Sequence, residues 1–185
     1  DRVSAPTLSS NGRLLVFAKR VVDFDANKSS TSLWIEDLFA RDAAPPKRLT
    51  PEGWNVNSPS FSPDGGTVYF LSGKSGSSQL YAMPVAGGAP VQLTAFALDV
   101  DGYQLSPDGK RIAFNAGMFA ACKSDFACTK DKLAAVEAKK GSGMVFDQMF
   151  IRHWDTWNDG RLNRVFVAAL PAAKAKPGAA APLGD

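Results

Sequence analysis

The chain of 185 residues contains one histidine, two cysteines and a formal charge of only +3. No apolar run approaches the roughly 20 residues that a helix needs to cross a bilayer, and residues 1–6 lack the basic-then-apolar pattern of a signal segment. The missing initial Met is compatible either with a removed leader or with an internal start. A charge of +3 spread along the chain is too weak to argue for a nucleic-acid partner. Two cysteines six residues apart, with His153 as the one histidine, are too few ligands for a zinc site. There is no Gly-rich phosphate loop, and no metal or cofactor is expected. There is also no Gly-x-Ser-x-Gly elbow, and His153 stands in a segment of strand character, so no Ser-His-Asp site is expected within these residues. On its own the chain is expected to be catalytically inert.

Hydrophobic residues at 45% and charged residues at 21% are those of a globular chain, which excludes wholesale disorder. The 16 glycines and 12 prolines fall in short punctuating clusters, a pattern of many turns and hence of β structure. One such cluster recurs. Leu8-Ser-Ser-Asn-Gly12-Arg-Leu-Leu-Val-Phe17, Phe61-Ser-Pro-Asp-Gly65-Gly-Thr-Val-Tyr-Phe70 and Leu105-Ser-Pro-Asp-Gly109-Lys-Arg-Ile-Ala-Phe114 align without a gap. In the second and third copies proline presets φ, aspartate bonds the backbone two residues on, and glycine accepts a positive φ; Asn11-Gly12 serves the same turn in the first. The alternation that follows puts Val68 with Phe70, and Ile112 with Phe114, on one face of a strand, where burial is worth about 1.5–3 kcal/mol per side chain.

A third strand is predicted at 33–38, 80–85 and 165–170, and a short fourth at 48–50 and 92–94, with Pro182-Leu183 a weaker counterpart in the last copy. Four strands per repeat, with turn glycines 53 and then 44 residues apart, describe propeller blades. The expected fold is therefore all-β: about three blades of four antiparallel strands in an incomplete ring, at 1–50, 51–94 and 95–185. Rings usually close with about 4–8 blades. Three leave the last blade's face, expected to be aromatic, open to a further part of the same polypeptide or to a second copy in a homo-oligomer.

The third repeat differs from the others in one respect. From turn glycine to third strand takes 15 residues between Gly65 and Leu80, but 56 between Gly109 and Val165, so an insertion is expected at 115–160. It carries Cys122 and Cys128, which either bridge, implying an oxidising compartment and about 2 kcal/mol of loop constraint, or remain two thiols. A helix is predicted over 129–140, with Leu133 and Val136 on one face, Lys139 and Lys140 in the last turn, and Gly141 as the stop. Next comes Arg152-His-Trp-Asp-Thr-Trp157, the densest chemical cluster in the chain. Two uses of it are open. Arg152 can donate to a carbonyl or carboxylate of a peptide-like ligand between the indoles of Trp154 and Trp157, with His153 and Asp155 alongside. Alternatively the stretch is structural, a strand sending Arg152 and Trp154 to one side and a loop-pinning His153 and Asp155 to the other.

With the Ser-Pro-Asp-Gly turns, Ala121-Cys-Lys-Ser-Asp-Phe-Ala-Cys-Thr-Lys130 and Arg152-His-Trp-Asp-Thr-Trp157 in view, the sequence resembles the opening of the propeller in the prolyl oligopeptidase family of serine peptidases. The likeness is to bacterial secreted or periplasmic dipeptidyl peptidase and acylaminoacyl peptidase types. It implies a propeller capping a downstream α/β-hydrolase that carries the triad, so no catalytic residue is carried over to this chain. The propeller of such enzymes limits substrate size, and short peptides are the implied partners. By the same resemblance an acidic side chain near the insertion, Glu137, Asp147 or Asp155, holds a free α-amine. The Ser-Pro-Asp-Gly turns are also shared with TolB-type propellers, which keeps an interaction module without enzymatic activity as the other reading.

Overall fold

The computed structural model describes residues 1–40, 44–141, 143, 145, 146, 149 and 151–170. Asp147 and the Pro182-Leu183 strand candidate lie outside these described residues. The first sheet is an antiparallel meander of β1 (Arg2–Leu8), β2 (Leu14–Asp23), β3 (Lys28–Asp37) and β4 (Lys47–Arg48). The second repeats it with β5 (Val56–Phe61), β6 (Thr67–Ser72), β7 (Gln79–Pro84) and β8 (Val91–Gln92). The third consists of β9 (Gly102–Leu105), β10 (Arg111–Phe119) and, beyond the insertion, β13 (Arg161–Ala169), in the order β13-β10-β9. These are propeller blades in an incomplete ring.

The same hydrogen bonds build the turn between the first two strands of every sheet. Ser62 Oγ donates to Asp64 Oδ1 at 2.5 Å and accepts from Thr67 N at 2.9 Å, while Gly65 N reaches Ser62 O with φ at +73°. Ser106, Asp108, Gly109 and Arg111 repeat this arrangement. In the first sheet Asn11 stands in for the aspartate, accepting from Ser9 Oγ and Arg13 N. The hydroxyl of the preceding serine, then the backbone N–H two residues on, holds Asp64 and Asp108 below the usual carboxylate range. A carboxylate whose folded pKa is depressed adds stability above its unfolded pKa and loses it as the pH falls through the folded value. Asn11 shows that an amide fits the turn. The double variant Asp64→Asn/Asp108→Asn is therefore expected to fold at neutral pH and to lose less stability than the wild type below about pH 4. Urea midpoints measured from pH 5 down to pH 2 check this, and parallel declines in the two proteins would contradict it.

A second device recurs at the outer strands. Leu49 N and Leu93 N donate to Leu33 O and Leu80 O, and the next residue's hydroxyl, Thr50 Oγ1 or Thr94 Oγ1, accepts from Leu33 N or Leu80 N at 2.9 Å. The pairing of each third strand with its two-residue neighbour is thus continued for two residues beyond it, leaving the backbone groups of Leu33 and Leu80 satisfied.

The core lies between successive sheets. Val16 and Ala18 of β2 meet Val68 and Phe70 of β6; on the other side of the second sheet, Leu71, Leu80 and Ala82 meet Ile112, Phe114, Ala116 and Met118 of β10 with Phe166 and Ala168 of β13. Phe70 and Phe114 are 0% and 2% exposed, as the repeat predicts. The positions three and five after each turn glycine face the preceding sheet, and those four and six after it face the following one. In the first sheet, which follows no other among the described residues, Leu15 and Phe17 are accordingly only half-buried, and Val16 and Ala18 take the core. The same parity corrects the expectation of an aromatic open face on the third sheet. Phe114 and Phe166 turn inward, and the open face carries Ala113, Val167 and Val165, the last 75% exposed.

Candidate functional site

The insertion leaves and rejoins the third sheet at the end opposite its turn. β10 and β13 stay paired from Arg111↔Ala169 to Phe119↔Arg161, so the strand continues past residue 115, where the insertion was expected to begin. Period-two burial at Ala116 and Met118 explains the extension. A short 3-10 turn at Ala120–Cys122 follows, then α1 (Phe126–Glu137). The helix starts three residues earlier than predicted because Asp125 caps it, its side chain accepting from Cys128 N at 3.0 Å. It also ends earlier: Lys139 and Lys140 lie beyond its last turn, and Val136 is exposed.

Cys122 and Cys128 are joined in a disulfide, tying the short turn to the first turn of α1. Two further contacts fasten the helix to the blades. Phe126 meets Phe96, Phe114 and Phe166 edge-on, with centroids 4.9–6.3 Å apart. The fully buried Thr129 hydroxyl accepts from Phe119 N. The start of the insertion is therefore a packed extension of the core.

Beyond the helix the chain forms a small hairpin, β11 (Arg152–His153) with β12 (Thr156–Trp157). Arg152 pairs with Trp157 and His153 with Thr156, so the backbone reverses at Trp154-Asp155, with Trp154 at φ +54°. This corrects the strand reading, which carried alternation through Asp155; no glycine or proline marks the reversal in the sequence. Trp154 is left 85% exposed, its indole edge-on to His153. Trp157 stacks on Phe146 at 5.8 Å and lies under the guanidinium of Arg152, 5.5 Å from Cζ to the ring centroid.

The hairpin and the start of β13 enclose an open cavity of about 540 Å³, lined by Arg152, His153, Thr156, Trp157, Asn158, Asp159, Arg161 and Asn163. Asp159 is fixed by its own turn, accepting from Arg161 N at 3.0 Å and from Arg161 Nε at 2.7 Å. The neighbouring Asp101 carboxyl is raised by burial first and by the charge of Asp99 second, against the opposing pull of Arg161 and of Gly117 N–H.

Of the expected site residues, the structure brings Arg152, His153 and Trp157 to the cavity. Trp154 and Asp155 sit at the hairpin turn outside it, and Glu137 is exposed at the end of α1. Asp159, Arg161 and Asn163 were missed. Their signal was the Asn-Asp-Gly turn before a strand, which reads as punctuation and not as a site. Among the described residues no group of three metal-binding side chains occurs, and no helix is long and apolar enough to cross a membrane.

Three successive meander sheets stacked face to face, sharing one turn design, define a segment of β-propeller. No protein-family model matches the chain. In sequence it is 29% identical over 157 residues to dipeptidyl-peptidase 5 of Porphyromonas gingivalis, covering 85% of this chain and 22% of that protein. It is 27% identical over 169 residues to dipeptidyl-peptidase 5 of Porphyromonas endodontalis, covering 91% and 23%. In fold it is similar to the acylaminoacyl peptidase of Pyrococcus horikoshii, with a TM-score of 0.64 at 15% identity over 91% of this chain and 23% of that one. The chain thus spans under a quarter of the length of these relatives. These likenesses agree with the resemblance of the sequence to prolyl oligopeptidase-family peptidases, and the fold is that of a propeller portion.

Proposed function

We propose that the chain is the propeller portion of a serine exopeptidase, its blades at 1–50, 51–94 and 95–185, working in the periplasm or outside the cell. In this reading it admits and positions short peptides for an α/β-hydrolase domain downstream, which releases dipeptides or acylated amino acids from the N-terminus. The observation that carries the proposal is the likeness to two dipeptidyl peptidases over 85% and 91% of the chain. Two features agree with it. The Cys122–Cys128 disulfide suits an oxidising compartment. The insertion offers a cavity beside a hairpin, and placement alone contributes several kcal/mol to a hydrolytic step. Incubating the full-length polypeptide with short peptides tests the proposal: products are expected to leave from the N-terminal end. A polypeptide that hydrolyses none would favour the interaction-module reading.

A further inference from the structure

The cavity beside the β11–β12 hairpin is not neutral. Arg152 and Arg161 bring two positive charges to its lining and Asp159 one negative. Asp159 is committed to Arg161, bonding both its Nε and its backbone N–H. Arg152 has no carboxylate partner among the described residues; its contact is the face of Trp157. A guanidinium held over an aromatic face keeps its in-plane N–H donors for a ligand, in a fork that matches a carboxylate. Asn163 adds a neutral amide donor to the lining, while the Thr156 hydroxyl donates to Asp155 Oδ1. Of the acidic candidates for holding an amine, Glu137 is not in this lining, and Asp155 stands outside it, accepting from Thr156 Oγ1 at 3.4 Å.

We infer that this cavity is a carboxylate-binding subsite. Arg152 is the residue that binds the anion, and Arg161, held by Asp159, shapes the wall. At Arg152 itself a peptide α-ammonium would meet a like charge, so the amine is held elsewhere. That the carboxylate arrives on a peptide rests on the peptidase reading above. Its source is either an acidic side chain or the C-terminal carboxylate of a short peptide, and both offer the same chemistry.

Calorimetric titration of the full-length polypeptide separates these sources. The probes are two pairs of tetrapeptides, N-methylated at the third residue to block cleavage after the second. One pair differs in a free or amidated C-terminus, the other in Glu or Gln at the second position with the C-terminus amidated. The wild type is expected to bind the carboxylate member of one pair roughly tenfold more tightly, the worth of a charge-assisted hydrogen bond. The pair that shows the preference names the source. Arg152→Gln is expected to bring the ratio close to one with an unchanged circular dichroism spectrum. Asp159→Asn keeps the turn acceptor, releases Arg161 and is expected to tighten carboxylate binding. Equal affinities within both wild-type pairs, or a preference that survives in folded Arg152→Gln, would overturn the subsite. Carboxylate-selective binding without hydrolysis of unmethylated peptides would retire the peptidase reading alone; hydrolysis without selectivity would retire the subsite alone.

Discussion

Replacing Phe114 by Ala is expected to lower stability by about 3–5 kcal/mol. The ring is 2% exposed and stacks on Phe96 at 4.6 Å and on Phe166 at 5.5 Å, with Phe126 of the capping helix against its edge. These four rings come from the second-to-third sheet connection, the two long strands of the third sheet and α1, so none can close over the cavity without moving another element. The loss should therefore lie at the upper end of the range for large-to-small changes. It should also loosen the insertion, because α1 loses an aromatic anchor. Urea denaturation reads the first effect and hydrogen exchange at residues 126–137 the second. A loss under about 1 kcal/mol would mean that the sheets are not packed against each other as described.

Gln79→Ala comes next in expected size. The side chain is 1% exposed and fully used: the two Nε2 protons are shared among Ser77 Oγ, Phe96 O and Leu98 O, and Oε1 accepts from Thr94 Oγ1 and Phe96 N. It holds the connection that carries Phe96 onto Phe114. Truncation leaves several buried polar groups without partners, each costing about 1–3 kcal/mol unless water reaches it, so a total on the order of 3 kcal/mol is expected. Gln79→Leu, which keeps the bulk but not the bonds, should be about as damaging. If Gln79→Leu were neutral, the side chain would be acting through packing and not through its amide. Thermal denaturation of both variants decides the matter.

The repeated turn was legible because its chemistry is local. Serine, aspartate or asparagine, and glycine at fixed offsets specify the same hydrogen bonds wherever they occur. The strands beside it were legible from alternation. Which face of each strand is covered was not, since that depends on neighbouring sheets; hence Leu15 and Phe17 look like Val68 and Phe70 in sequence and are less buried. Gln79 was invisible for the same reason, its partners lying up to 19 residues away in a loop. In the insertion, the cysteines and the Arg152–Trp157 cluster drew notice by residue type, but the reversal at Trp154 broke the alternation used to orient them. Asp125 as helix cap is a local signal, four residues ahead of the predicted start at residue 129.

The central claim is that these blades serve a peptidase whose chemistry lies outside residues 1–185. Mass spectrometry of the products formed by the full-length polypeptide from an unblocked hexapeptide and from its N-acetylated counterpart tests it most directly. The account predicts release of the N-terminal dipeptide from the first or of an acylated residue from the second, with no hydrolysis by residues 1–185 alone. Cleavage by that segment in a contaminant-free preparation, abolished by a point change within it, or an intact peptide after prolonged incubation with the full-length polypeptide, would contradict the account.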